Sequence, residues 1–140
     1  MKKLLVLFIF LGCFQLNAQS VIGKWKTIDD KTGKPKSIIE IYEKGGKIYG
    51  KIIDILNPAT RNGVCTKCGK DYKDKPILGM VIITDMKKDD DEYSGGKILD
   101  PESGTEYKCI LKLESKDKLE VRGYVGFALI GRSQTWIRVK

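Results

Sequence analysis

Histidine is absent from this 140-residue chain. That removes the usual general base near neutral pH, the usual ligand of catalytic zinc and every histidine-containing triad. Lysine and carboxylate bases remain open to it, so the absence weighs against catalysis without forbidding it. No apolar run reaches the roughly 20 residues that a membrane-spanning helix needs. Helical periodicity is almost missing after residue 19, and no linker, repeat or low-complexity run divides the chain. Without a clustered basic helix, nucleic acid is a poor candidate partner. The chain is therefore read as a non-enzyme with no cofactor, no resident metal and no transmembrane span.

What is present begins with an export signal. Lys2 and Lys3 precede an apolar core at 4–14, and Gln15-Leu16-Asn17-Ala18 then puts a small residue before Gln19. This predicts a signal peptide over 1–18 and a single exported domain over 19–140, periplasmic or secreted. A lipoprotein signal is the alternative: Phe10-Leu11-Gly12-Cys13 would leave Cys13 acylated, although phenylalanine matches poorly at the start of such a box. Loss of Lys2 and Lys3 takes the formal charge from +8 to +6. A basic surface suits anionic lipid, polysaccharide or peptidoglycan. The plainer reading is of solvated turns, since lysines alternate with carboxylates in Lys87-Lys88-Asp89-Asp90-Asp91-Glu92.

Nearly every later segment has strand character. Runs at 22–28, 37–43, 47–56, 77–86, 92–99, 105–113, 119–125 and 132–139 predict eight strands, with one long irregular connection at 57–76. Alternation is clearest where Tyr107, Cys109, Leu111 and Leu113 share one face while Glu106, Lys108 and Lys112 share the other. Eight such strands form either a two-sheet sandwich or an up-and-down antiparallel β-barrel. Glycines at 50, 79, 95, 96 and 123 favour the barrel, whose strands must bend.

Gly23-Lys24-Trp25 opens the first strand, and Trp136-Ile137-Arg138 closes the last. This resembles the lipocalin and calycin signature. The resemblance implies that Gly23, Trp25 and Arg138 close one end of the barrel and do no chemistry. An ordinary core tryptophan is the competing reading. Further phrases extend the likeness over almost the whole domain: Asp29-Asp30-Lys31-Thr32-Gly33-Lys34-Pro35, Ile48-Tyr49-Gly50-Lys51-Ile52, Cys65-Thr66-Lys67-Cys68, Pro76-Ile77-Leu78-Gly79-Met80, Ile98-Leu99-Asp100-Pro101 and Val121-Arg122-Gly123-Tyr124. In this order they are similar to an exported bacterial family known as domain of unknown function 2147. That likeness implies a lipocalin-like barrel in the cell envelope and specifies no reaction or ligand.

Cys65-Thr66-Lys67-Cys68-Gly69 is the one recognisable chemical motif. A local disulfide, half of a zinc knuckle, a redox dithiol and two free thiols all compete for it. The disulfide leads, because exported cysteines meet an oxidising compartment; the zinc site lacks a second pair, and the redox motif lacks a helix. Cys109 reads as a small buried hydrophobe. The Asp29, Asp30, Thr32 group is a small cation site or, more simply, a polar turn. Asp100-Pro101 reads as a type I turn.

The last strand pair carries the candidate binding residues. Arg122 and Tyr124 alternate with apolar neighbours, and Arg132, Gln134, Trp136 and Arg138 share one face of the final strand. Turned inward, that face is a cationic wall for a carboxylate or phosphate; turned outward, it is a polar stripe. Between the strands lies an apolar tip, Phe127-Ala128-Leu129-Ile130, where a hairpin is normally polar. The leading expectation is a carrier or sensor for a small amphipathic or anionic molecule, held by Arg122, Tyr124, Phe127, Leu129, Arg132, Gln134 and Trp136. The alternative is an envelope interaction module whose tip touches a membrane surface or a partner protein. A thiol-redox protein using Cys65 and Cys68 comes third.

Overall fold

The computed structural model describes residues 20–140. The expected signal peptide and the alternative at Cys13 lie outside the described residues. Eight strands follow in order: β1 (Gly23–Ile28), β2 (Pro35–Lys44), β3 (Lys47–Ile55), β4 (Val81–Asp89), β5 (Glu92–Asp100), β6 (Thr105–Ser115), β7 (Lys118–Tyr124) and β8 (Gly131–Arg138). Each is antiparallel to the next, and β8 returns to β1 through the pairs Trp25 with Arg138 and Lys26 with Ile137, so the sheet is a closed barrel. Closure satisfies the edge groups that an open sheet exposes, which is why a chain of hairpins prefers it.

The period-2 pattern sets the two faces. Along β6 the side chains of Cys109 and Leu111 are buried, and those of Lys108 and Lys112 are exposed. Trp25, Ile39, Ile41, Ile83, Met86, Leu111, Leu119 and Trp136 occupy the interior at no more than 2% exposure. At Gly96 a methyl group would sit 2.1 Å from the carbonyl oxygen of Thr84 and 2.7 Å from the Met86 sulfur. Glycine there lets β5 approach β4 at a point where the barrel wall turns sharply.

The fourth strand starts four residues later than the sequence pattern predicts. Residues 77–80 belong to the β3–β4 connection, because the amide of Ile77 donates to the carbonyl of Gly63 and Pro76 bridges to Val64. These contacts take the backbone groups a strand would need. Gly79, expected as a bend inside a strand, lies in this connection just before β4 and has φ of 91°.

Candidate functional site

In an up-and-down barrel the odd-numbered connections share one end, so the β7–β8 tip sits with the β1–β2, β3–β4 and β5–β6 connections. Arg138 marks the opposite end. Its guanidinium lies 4.2 Å from the centroid of the Trp25 ring and donates to the carbonyls of Lys116 (2.8 Å), Ile22 (3.1 Å) and Ser20 (2.7 Å). The Trp25 indole N–H donates to the Val21 carbonyl at 2.8 Å. A methyl on Gly23 would fall 2.8 Å from Arg138 Nη1, and the φ of 137° is one that side-chain-bearing residues rarely adopt. The polar groups of Arg138 and Trp25 are thus taken up in tying the start of the domain to the β6–β7 turn.

The seven expected binding residues divide. Trp136 pairs with Leu119, Gln134 with Val121 and Arg132 with Gly123, and these positions face the interior. Arg122 and Tyr124 stand on the outer face, where Arg122 pairs with Ser133 and Tyr124 with Gly131. The expected binding residues are thus split between the two faces, Arg132, Gln134 and Trp136 on the inner one and Arg122 and Tyr124 on the outer one. A strand's neighbours alternate sides, and the register puts the two arginines on opposite ones.

The inward set is also neutralised. Arg132 pairs with Asp30, Gln134 Nε2 donates to the same carboxylate at 2.9 Å, and the Trp136 indole donates to Gln134 Oε1 at 3.2 Å. Asp30 thus belongs to this chain of contacts, which sequence reading missed, since it considered the residue only within a turn. Its neighbour Asp29 caps that turn, accepting from the amides of Lys31 (2.8 Å) and Thr32 (3.0 Å). These backbone hydrogen bonds, Thr32 foremost, lower its pKa below the ordinary aspartate value.

The tip is braced rather than loose. The Ile130 amide donates to the Phe127 carbonyl at 2.9 Å, and Arg122 Nε donates to the Ala128 carbonyl at 2.7 Å while its Nη1 reaches Ser133 Oγ at 3.0 Å. Bracing spends the polar backbone groups and leaves the apolar side chains outside: Phe127 is 78% exposed, Leu129 94% and Ile130 70%.

Cys65 and Cys68 form a disulfide with Cα atoms 5.4 Å apart, both buried within the β3–β4 connection. Cys65 Sγ lies 3.3 Å from the Pro101 carbonyl oxygen, a contact that fastens the connection to the β5–β6 turn. Cys109 is a free buried thiol whose pKa desolvation pushes up to about 12. No cluster of three metal-ligating side chains occurs among the described residues. No described helix is long and apolar enough to cross a membrane, which says nothing of strands. Two open hollows lie on the outer wall, lined by Tyr42, Tyr49, Tyr72 and residues of β2 to β6. Sequence reading missed these tyrosines, although Tyr42 and Tyr49 flank the Gly45-Gly46 turn symmetrically and so had to face each other.

A family model described as "Uncharacterized protein conserved in bacteria (DUF2147)" matches residues 23–138. Comparison with curated proteins gave no match. Among solved structures, a protein from Helicobacter pylori, HP1028, described as belonging to the lipocalin family, superposes with a TM-score of 0.76 at 22% identity, over 86% of this chain and 84% of that one. At this identity the likeness concerns the barrel.

Proposed function

This chain belongs to the DUF2147 family, a lipocalin-like barrel, and we propose that it is an exported envelope protein that docks through its β7–β8 tip onto an anionic membrane surface. The observation that carries the proposal is the rigidly braced, outward-turned Phe127, Leu129 and Ile130. Full burial of each such side chain is worth about 1.5–3 kcal/mol, so leaving three in water is a standing cost that contact with lipid would relieve. Charge favours lipid as the occupant. The β3–β4 connection, which leaves the barrel at the same end, carries Lys67, Lys70, Lys73 and Lys75 against Asp71 and Asp74, while its Arg61 is paired with Asp54. Basic residues near an anionic leaflet add about 1 kcal/mol each.

The carrier reading, with a small amphipathic or anionic ligand inside the barrel, finds less support. Large side chains occupy the interior, and Arg132 already faces Asp30. Flotation with vesicles of phosphatidylglycerol and phosphatidylethanolamine tests the proposal. The protein should float with these vesicles, less with phosphatidylcholine, and not at all as Leu129→Asp, which at 94% exposure leaves the fold intact. Equal flotation of wild type and variant sinks it. Failure to float, with self-association that Leu129→Asp abolishes, would assign the tip to a second copy. A small molecule retained in native mass spectrometry would revive the carrier.

A further inference from the structure

The outer wall carries a second feature, independent of the tip. Tyr42 of β2 and Tyr49 of β3 pair across the strands and stack with ring centroids 5.9 Å apart and planes 22° from parallel. Together with Lys44, Lys47 and Tyr72 they wall an open groove of about 500 Å³. A second hollow of about 230 Å³ shares Tyr72, Val81 and Thr84 with it and runs on to Lys97 and Leu99. The two hollows adjoin at Tyr72, Val81 and Thr84, and together they lie over β3, β4 and β5 as one candidate groove.

The wall of this groove is fixed. Asp85 holds φ at 58°, an uncommon conformation for a residue with a side chain, where a register irregularity interrupts the pairing of β3 with β4. Its carboxylate accepts from the Tyr49 hydroxyl at 2.9 Å and lies 3.8 Å from Lys47 Nζ. Tyr49 is thereby held in place, and Asp85 takes up one of the lysines. Lys44 and Lys97 have no ion-pair partner among the described residues.

We propose that this groove binds a glycan chain bearing carboxylates. Pyranose rings present flat C–H faces, weakly positive, that suit the negative face of an aromatic ring, and three tyrosines line the groove, of which Tyr42 and Tyr49 each cover one face of the other and keep only their outer faces for a sugar. Lys44 and Lys97, near opposite ends, meet the carboxylates, while Glu106, which lines the same hollow as Lys97, offsets part of the positive charge at that end. A peptide that binds by adding a strand is excluded, because the closed barrel has no free sheet edge. The elongated, open form fits a linear polymer better than a compact metabolite, which pockets enclose.

Titration of the 15N-labelled protein with a hyaluronan hexasaccharide, followed by amide shifts, tests this. Saturable shifts are expected at residues 42–49, 72, 81–85 and 95–97, with neutral chitohexaose binding at least threefold more weakly. Tyr72→Ala should weaken the acidic glycan about tenfold, or 1.4 kcal/mol, while Tyr72→Phe retains it. Tyr72 lies in a connection and is 36% exposed, so an unchanged thermal melt will show that the variant is folded. Lys44→Ala with Lys97→Ala should erase the preference for acid. No saturable shift at millimolar glycan, shifts indifferent to Tyr72→Ala, or binding of an oligoglutamate peptide in place of both glycans overturns the proposal. None of these readouts depends on the β7–β8 tip.

Discussion

Arg138 stacks over Trp25 and, from the same guanidinium, donates to three backbone carbonyls of segments that are far apart in sequence. One side chain thus ties the residues before β1, the β6–β7 turn and the last strand into a single lid. Arg138→Ala should cost about 2–3 kcal/mol, the worth of charge-assisted hydrogen bonds plus a cation–π contact. Arg138→Lys should recover little, because one ammonium cannot span the three carbonyls. Urea denaturation of the three proteins checks this, and an alanine variant as stable as wild type refutes the lid.

Arg132 and Asp30 provide the contrast. They form an ion pair between the last strand and the β1–β2 turn, but side-chain exposures of 70% and 39% leave them to solvent. Asp30→Asn should change stability by less than about 1 kcal/mol in the same urea experiment. A larger loss would contradict the solvent exposure of this pair.

Gly96→Ala should be among the most damaging single substitutions. The added methyl meets backbone, which cannot rotate away, whereas at Gly33 a methyl meets nothing and only the φ of 69° resists. The expected loss is above about 3 kcal/mol for Gly96→Ala and about 1 kcal/mol for Gly33→Ala. Comparable melting temperatures for the two would contradict the close approach of β4 and β5.

The thiols should count as follows in a chain beginning at Gln19. A disulfide reagent finds none in the native protein, one in denaturant and three in denaturant with reductant, because Cys65 and Cys68 are bonded and Cys109 is buried. A native protein that reacts readily would be evidence against the buried thiol.

Cys109 also predicts an alkaline weakness. Its folded pKa of about 12 stands above the ordinary thiol value of 9.0, so the unfolded chain releases the proton first. Its contribution is complete below pH 9 and declines as pH rises towards 12, by at most about 1.4 kcal/mol per pH unit. Cys109→Ala should lessen the fall in stability between pH 9 and pH 11. An identical slope in both proteins would dismiss the cause.

Alternation, turn residues and the lack of helical period were enough for the eight strands and the buried Cys109, since these are local properties that neighbours impose on each other, while the choice of barrel over sandwich leaned on in-strand glycines and the family resemblance. Tyr107, Cys109 and Leu111 lie on the inner face and Lys108 and Lys112 on the outer one, as that period requires. Other features needed the third dimension. Whether Arg132 and Arg122 share a side depends on the register of β7 against β8, and whether Arg132 is free depends on a turn about a hundred residues away. The groove joins Tyr42 and Tyr49 to Tyr72, which only the course of the β3–β4 connection brings near. Periodicity fixes which side chains lie together on a strand; chain closure decides which strands and loops they meet, and for this protein the surfaces that bear on function are made of those meetings.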